Sequence, residues 1–358
     1  MLAKKDAKLI LEDGSIYYGF SCGAEKSVSG EIVFNTGMVG YPESFTDPSY
    51  RGQILVLTYP LIGNYGVPGN EKENNLLKNF ESDKIHIQGL IISDYSNNHN
   101  HWSAKKSLSE WLKEYNIPAI FGVDTRSLTQ KLREKGVMLG KIIINENDVK
   151  IEDPNKRNLV DEVSIEKKQV YESGKSKKKI LLIDCGVKHN IIRSLLARNV
   201  KVIRVPWDYN YHNEDYEGIV ISNGPGDPKM CKATIENIKK SIKDRTPIFG
   251  ICLGNQILAL AAGGNTYKLK YGHRSQNQPS TDLETGRCYI TSQNHGYAVD
   301  AKKLGKGWKS WFVNANDNTN EGLMHKKLPF ISVQFHPEAT PGPVDTNFLF
   351  DRFLKMVK

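Results

Sequence analysis

Cysteine is scarce in this chain: five residues in 358, Cys22, Cys185, Cys231, Cys252 and Cys288. The count is odd and no pair stands at C-x-x-C spacing, so neither a disulfide framework nor a zinc site is indicated. Reduced thiols suit a cytosolic enzyme. Nowhere do roughly 18 apolar residues run together, which excludes a transmembrane helix and a membrane partner. The stretch from Met1 to Glu12 has no long apolar run. Its acidic residues and lack of Arg argue against a transit peptide, so a soluble cytoplasmic protein is expected. No P-loop G-x-x-x-x-G-K-[ST] occurs and no metal-ligand cluster is visible, so no metal or cofactor is expected in this chain. Internal repeats and low-complexity tracts are absent as well.

What is present is globular. Hydrophobic residues make up 39%, charged residues 25% and aromatics 9%, which excludes a disordered chain and a collagen. The length suits about two domains at roughly 100–200 residues each. Lys plus Arg is 49 against 40 for Asp plus Glu, a net charge of +9. The lysines are scattered, as on solvated faces, and no nucleic-acid partner is expected. The one dense group, Lys175 and Lys177 to Lys179, falls where a linker is expected.

Composition divides the chain. Asp153, Pro154, Asn155 and the run from Glu166 to Lys179 are polar and lack apolar periodicity. The expected organisation is an N-terminal domain over 1–150, a linker over 151–178 and a C-terminal domain over 179–358. The first part reads as a smaller, strand-rich α+β domain. Leu9 to Leu11 and Ile16 to Tyr18 flank Asp13-Gly14, a hairpin signal. Ser103 is the expected cap of a helix with Leu108, Trp111, Leu112 and Tyr115 inward, and Asp124 or Thr125 of a second that stops at Gly136. The second part alternates short apolar strands, such as Ile180 to Ile183 and Pro247 to Ile251, with helices. That pattern implies βαβ units, a parallel sheet and an α/β fold. Sites in such sheets lie at the carboxyl ends of the strands.

Gly250-Ile251-Cys252-Leu253-Gly254 follows one of these strands and precedes a helix. It is the nucleophile-elbow pattern with Cys in place of Ser. Flanking glycines remove Cβ atoms that would clash in the sharp turn. The thiol then faces a helix N-terminus, where the dipole favours negative charge, and the Leu253 N–H can serve as an oxyanion donor. On its own the turn equally suits a buried structural cysteine. His336-Pro337-Glu338 ends a second apolar strand. A thiol needs a base, and Glu338 can fix the other ring nitrogen of His336. Asn223-Gly224-Pro225-Gly226-Asp227-Pro228 ends a third strand and can form an anion-binding concavity that supplies a second oxyanion donor. Losing one such donor costs about 3–4 kcal/mol of transition-state stabilisation. Gln293-Asn294-His295-Gly296-Tyr297 suits recognition of an amino acid's charged ends.

Together, Gly-Ile-Cys-Leu-Gly, Gly-Pro-Gly-Asp-Pro and His-Pro-Glu resemble a class I, triad-type glutamine amidotransferase domain. The N-terminal half sharpens the match. The stretches Asn35 to Tyr41, Thr46 to Tyr50, Leu57 to Pro60, Gly63 to Gly66 and Gly122 to Thr129 resemble the small chain of carbamoyl-phosphate synthase, over nearly the whole sequence.

The resemblance implies a set of roles. Cys252 would attack the side-chain amide of L-glutamine, His336 would pass a proton to leaving ammonia, and Glu338 would hold His336. The N–H groups of Leu253 and Gly224 would bind the oxyanion. Ser49, Gly224, Gly226, Leu253, Gln256, Asn294, Gly296 and Tyr297 match positions that hold the glutamine. Ammonia would pass through a tunnel to a separate large synthetase chain in a hetero-oligomer. That partner, the carbamoyl-phosphate synthase large chain, would use bicarbonate, ATP and a divalent metal to make carbamoyl phosphate for pyrimidines and arginine. No linker into a fused synthetase follows Val357 in the sequence, hence the expectation of a separate partner.

One position departs from the pattern: Asn255 stands where many members have His. Two other readings compete. An amidotransferase feeding a different synthase would lack the N-terminal motifs. A catalytically silent, partner-binding subunit would not need Cys252, His336 and Glu338.

Overall fold

The computed structural model describes residues 5–174 and 176–357. These fall into two compact units, one over 5–73 and 77–156, the other over 74–76, 157–174 and 176–357.

The first unit is built on a closed seven-stranded barrel. Its strands are β1 (Ala7–Leu11), β2 (Ile16–Ser21), β3 (Val28–Asn35), β4 (Gln53–Leu57), β5 (Gly89–Ile91), β6 (Ala119–Phe121) and β7 (Met138–Ile144). Their order around the barrel is β1-β7-β3-β4-β5-β6-β2. The Asp13-Gly14 turn joins β1 to β2 as an antiparallel hairpin, with Gly14 at φ 84°. Closure leaves the barrel itself without an edge strand.

Helices Tyr41–Phe45 (α1), Leu108–Glu114 (α2) and Thr125–Lys135 (α3) accompany the barrel. The cap of α2 is Ser107, not Ser103. Ser107 and Glu110 form a reciprocal capping box, which Ser103 cannot do from its distance. Asp124 caps α3 by accepting from Ser127 N, and Gly136 ends it at φ 104°.

The second unit carries a ten-stranded mixed sheet. Its strands are β8 (Gln169–Tyr171), β9 (Lys178–Asp184), β10 (Val200–Pro206), β11 (Gly218–Ile221), β12 (Ile248–Ile251), β13 (Thr266–Asp282), β14 (Cys288–Val299), β15 (Trp308–Asn314), β16 (Asn320–His325) and β17 (Phe330–Val333). The order is β8-β10-β9-β11-β12-β17-β16-β14-β13-β15. Strands β10, β9, β11, β12 and β17 are parallel, as the alternation with helices predicts. From β16 outward the sheet is antiparallel.

Neighbouring residues along β9 point to opposite faces. Ile180 and Leu182 join the core under helices His189–Leu196 (α4) and Phe348–Met356 (α7). Leu181 and Ile183 join the core under Lys232–Lys243 (α5) and Leu253–Ala261 (α6). Burial on both faces is why these strands read as continuous apolar runs.

The stretch expected as linker carries structure of its own. Residues 154–156 form a 3-10 turn, and β8 pairs antiparallel with β10. The lysine cluster is divided accordingly. Lys178 and Lys179 open β9, while Lys175 lies outside the described residues. The Lys178 ammonium donates to the carbonyls of Leu354 and Val357 at the end of α7, where a helix dipole favours a cation. Among the described residues no helix is long and apolar enough to cross a membrane.

Candidate active site

Three loops leave the carboxyl ends of three adjacent parallel strands. β11 leads to Asn223–Gly226, β12 to Cys252 and β17 to His336. Register places Ile221 beside Gly250, and Ile251 beside Val333. Distant motifs in the sequence thus become neighbours through strand order alone.

Cys252 sits between β12 and α6 at φ 55° and ψ −104°, strained for a residue with a Cβ. Its amide is held by the Val333 carbonyl at 2.8 Å. The glycines around it are required by contact. A Cβ on Gly254 would lie 2.2 Å from the Ile221 carbonyl oxygen, and one on Gly224 would lie 1.9 Å from that of Cys185. The same Gly224 Cβ would meet the Leu253 side chain at 2.9 Å, so the two expected oxyanion donors belong to packed neighbours.

The thiol is 1% exposed. Its Sγ lies 3.7 Å from the Asn294 carbonyl oxygen and 3.8 Å from the Gln334 amide nitrogen, which donates to it. Gln334 is in turn oriented by Asn255, at 3.0 Å, and by Gln256, at 3.1 Å, both donating to its Oε1. Ser332 fixes Asn255 through a 2.8 Å bond. Asn255 therefore supports a fully buried amide chain that ends on the sulfur.

His336 and Glu338 are both buried, with Nδ1 and Oε1 2.7 Å apart. Sequence reasoning missed the third member of this group. Lys188, 2% exposed, places its ammonium 3.0 Å from the same Glu338 oxygen and also donates to the Ala339 carbonyl. Asp184 accepts from the amides of Gly186 and Val187, shaping the turn that presents Lys188 at the start of α4. A cation at a helix N-terminus is disfavoured by roughly 0.3–1 kcal/mol. Breaking a buried ion pair costs about 3–5 kcal/mol, so Glu338 decides the placement.

Burial disfavours an ionised Glu338, but Lys188 and then His336 outweigh it and hold the carboxyl down at about 2. Burial also disfavours a charged imidazole, yet Glu338, helped by Cys252, pushes His336 up to about 10. Among the described residues Nε2 of His336 meets no partner at full hydrogen-bond geometry, with Cys252 the group that acts on it. Such contacts tighten when a substrate occupies the site.

The other expected ligand positions divide between the units. Gly226 lies in the β11 loop at φ 83°. Asn294, Gly296 and Tyr297 lie on β14, and Gln256 on α6 donates to the Tyr297 carbonyl at 2.9 Å. Ser49 belongs to the first unit, in a 3-10 turn capped by Asp47, whose carboxylate accepts from Ser49 N at 2.9 Å. The N-terminal motifs bind one another within that unit. Asn35 donates to the Tyr50 hydroxyl at 2.8 Å, and the Tyr65 hydroxyl accepts from Gly40 and Tyr41 N–H groups at 2.9 and 3.0 Å.

This architecture agrees with what the chain is similar to. Residues 181–356 match the family Glutamine amidotransferase class-I. Residues 9–142 match Carbamoyl-phosphate synthase small chain, CPSase domain. The arginine-specific small chain of carbamoyl phosphate synthase from Saccharomyces cerevisiae is 52% identical, over 99% of this chain and 90% of its own length. Multifunctional protein CAD of Squalus acanthias is 54% identical over 98% of this chain, and multifunctional protein pyr-3 of Neurospora crassa 52% identical over 98%. This chain spans only 16% and 21% of those two longer proteins. The chain belongs to the carbamoyl-phosphate synthase small-chain family.

Proposed function

We propose that this chain is the glutamine-hydrolysing subunit of a carbamoyl-phosphate synthase. The observation that carries the proposal is the Cys252 elbow and the buried His336–Glu338–Lys188 group, presented by loops at the carboxyl ends of the parallel strands β12, β17 and β9.

Cys252 attacks the side-chain carbonyl carbon of L-glutamine as the thiolate. The Leu253 and Gly224 N–H groups receive the developing oxyanion. His336 gives its Nε2 proton to the amide nitrogen, the C–N bond breaks, and ammonia leaves a glutamyl thioester on Cys252. Water then attacks the thioester, His336 takes its proton, and glutamate departs. Glu338 keeps Nδ1 protonated and the ring oriented, and Lys188 keeps Glu338 ionised. The substrate's charged ends fall to Gly226, Gln256, Asn294, Gly296 and Tyr297.

The glutaminase half-reaction needs no cofactor in this chain. The ammonia serves a large synthetase chain, which uses bicarbonate, ATP and a divalent metal to make carbamoyl phosphate for pyrimidine or arginine synthesis. A hetero-oligomer in the reducing cytoplasm suits a working thiol. Similarity to a separate small chain and to multifunctional proteins supports this assignment of partner.

The test is glutamate release from glutamine by the purified chain, with and without a large chain, beside Cys252→Ser. We expect partner-stimulated release that the substitution abolishes, with carbamoyl phosphate still made from added ammonium. No release with an intact complex would make the chain a scaffold, and the thiol mechanism would be withdrawn.

A further inference from the structure

The sulfur of Cys252 stands between an acceptor and a donor. The Asn294 carbonyl, 3.7 Å away, suits a thiol, which has a proton to give. The Gln334 amide nitrogen, 3.8 Å away, suits a thiolate, which has none. Both separations exceed those of oxygen partners because sulfur is the larger atom. Gln334 directly follows β17, two residues before His336, and is fully buried. The mechanism above gives it no part.

The backbone decides which end of the Gln334 amide meets the sulfur. The Tyr297 carbonyl can only accept, so the Gln256 atom 2.9 Å from it is the nitrogen. That nitrogen has a second proton and gives it to Gln334 at 3.1 Å, which makes the receiving atom Oε1. Asn255 meets the same oxygen at 3.0 Å and must also present its nitrogen. Its Oδ1 is thereby turned to the Ser332 hydroxyl, which donates at 2.8 Å. With Oε1 held by two donors, Nε2 is the end left for the sulfur. Turning the amide over would set donor against donor twice. All four side chains are at most 2% exposed, so water offers no substitute partner.

The main chain of Gln334 is held as well, its N–H donating to the Glu321 carbonyl at 2.8 Å. One amide is thus gripped by β17, which carries it, and by α6, whose N-cap is the nucleophile itself. A donor fixed in this way matters most when the sulfur is charged, because a hydrogen bond to an ion is stronger than one to a neutral group.

We propose that Gln334 is a positioning residue that holds the Cys252 sulfur in place as a thiolate, and that Asn255 and Gln256 serve it by fixing the direction of its amide. The proposal rests on the thiol mechanism above. It gives the departure at position 255 a physical meaning. That position asks for a side-chain N–H directed at Gln334 Oε1, and asparagine and histidine both carry one.

The test follows alkylation of Cys252 by iodoacetamide at fixed pH, read from the mass of its peptide in the full chain, beside glutamate release with the large chain bound. Gln334→Met keeps length and burial but brings no N–H. We expect it to slow alkylation about 10–100-fold, the scale of one hydrogen bond to a charged group, and to lower kcat for glutamine similarly with KM nearly unchanged. Asn255→Leu should slow alkylation less, because Gln256 still holds the amide, and Asn255→His should recover most of that loss. Should Gln334→Met fail to fold, the Asn255 pair decides alone. A packing role would lower the thermal midpoint of these variants without this order of rates. Alkylation of Gln334→Met at the unaltered rate, or of Asn255→His no faster than Asn255→Leu, would overturn the proposal. Failure of the unaltered chain to release glutamate would count instead against the glutaminase reading, and the order of alkylation rates would still decide the role of Gln334.

Discussion

Two buried imidazole–carboxylate pairs share one sheet but are completed differently. His336 and Glu338 meet at 2.7 Å, and the Lys188 ammonium stands 3.0 Å from the same carboxylate oxygen. His273 and Glu321 meet at 3.2 Å, and among the described residues no Lys or Arg pairs with Glu321. There the further company is Asn314, 3.3 Å from Glu321, and Asp317, which adds a second carboxylate. The first pair carries its own counter-charge, so its ionisation is set by the chain. The second is completed by the imidazole itself, which stands between Glu321 and Asp317. A site that must perform the same proton transfer on every turnover gains from the first arrangement.

The sharpest way to break the first pair is Glu338→Gln, which keeps the shape and removes the charge. Glutamine-dependent turnover should fall by about 10²–10⁴-fold, the usual contribution of a positioned acid–base group, with ammonium-dependent synthesis retained. Lys188→Met strips the counter-charge instead. It should lower stability by about 3–5 kcal/mol in denaturant titration, because an uncompensated carboxylate stays buried. Glu321→Gln should cost less than Lys188→Met, since it removes a buried charge with which, among the described residues, no lysine pairs.

Titration separates the pairs further. Glu338 is held at about 2, below its ordinary 4.5, so its stabilising contribution is present above 4.5 and lost as pH falls toward 2. His336 is held at about 10, above its ordinary 6.5, so its contribution is complete below 6.5 and lost as pH rises to 10. Stability of Glu338→Gln should therefore lose much of this dependence at both ends of the range. An unchanged profile would mean that the pair is not what ionises. The smallest effect is expected in the other unit. Ser107→Ala removes the cap of α2 and should cost about 1 kcal/mol.

The candidate triad was legible because its parts are local. One residue, Pro337, separates His336 from Glu338, and the elbow is five consecutive residues. The parallel sheet was legible because burial on both faces leaves apolar runs. Lys188 was not, since only the packing of the β9 loop against the β17 loop pairs it with a carboxylate 150 residues away. The His273 group is dispersed over three strands for the same reason, and no spacing rule connects His273 to Glu321. Barrel closure was equally hidden, because β1 finds β7 across more than 100 intervening residues. Two errors had readable causes. Ser-Leu-Ser-Glu at 107–110 is a capping-box signal that outranks Ser103. The polarity of 151–178 concealed an edge strand, whose outward face needs no apolar residues.

The glycine contacts around Cys252 have a consequence for how such a site arises and decays. Gly224 is packed on the Cys185 carbonyl and Gly254 on that of Ile221, both closer than any side chain permits. These are contacts with backbone, so no compensating change of side chain elsewhere can make room. The loops of β9, β11 and β12 are therefore one mechanical part. Point mutation can dismantle it in a single step, whereas recombination can acquire it only as a block. Grafts between homologues should succeed when they carry all three loops and fail when they carry one.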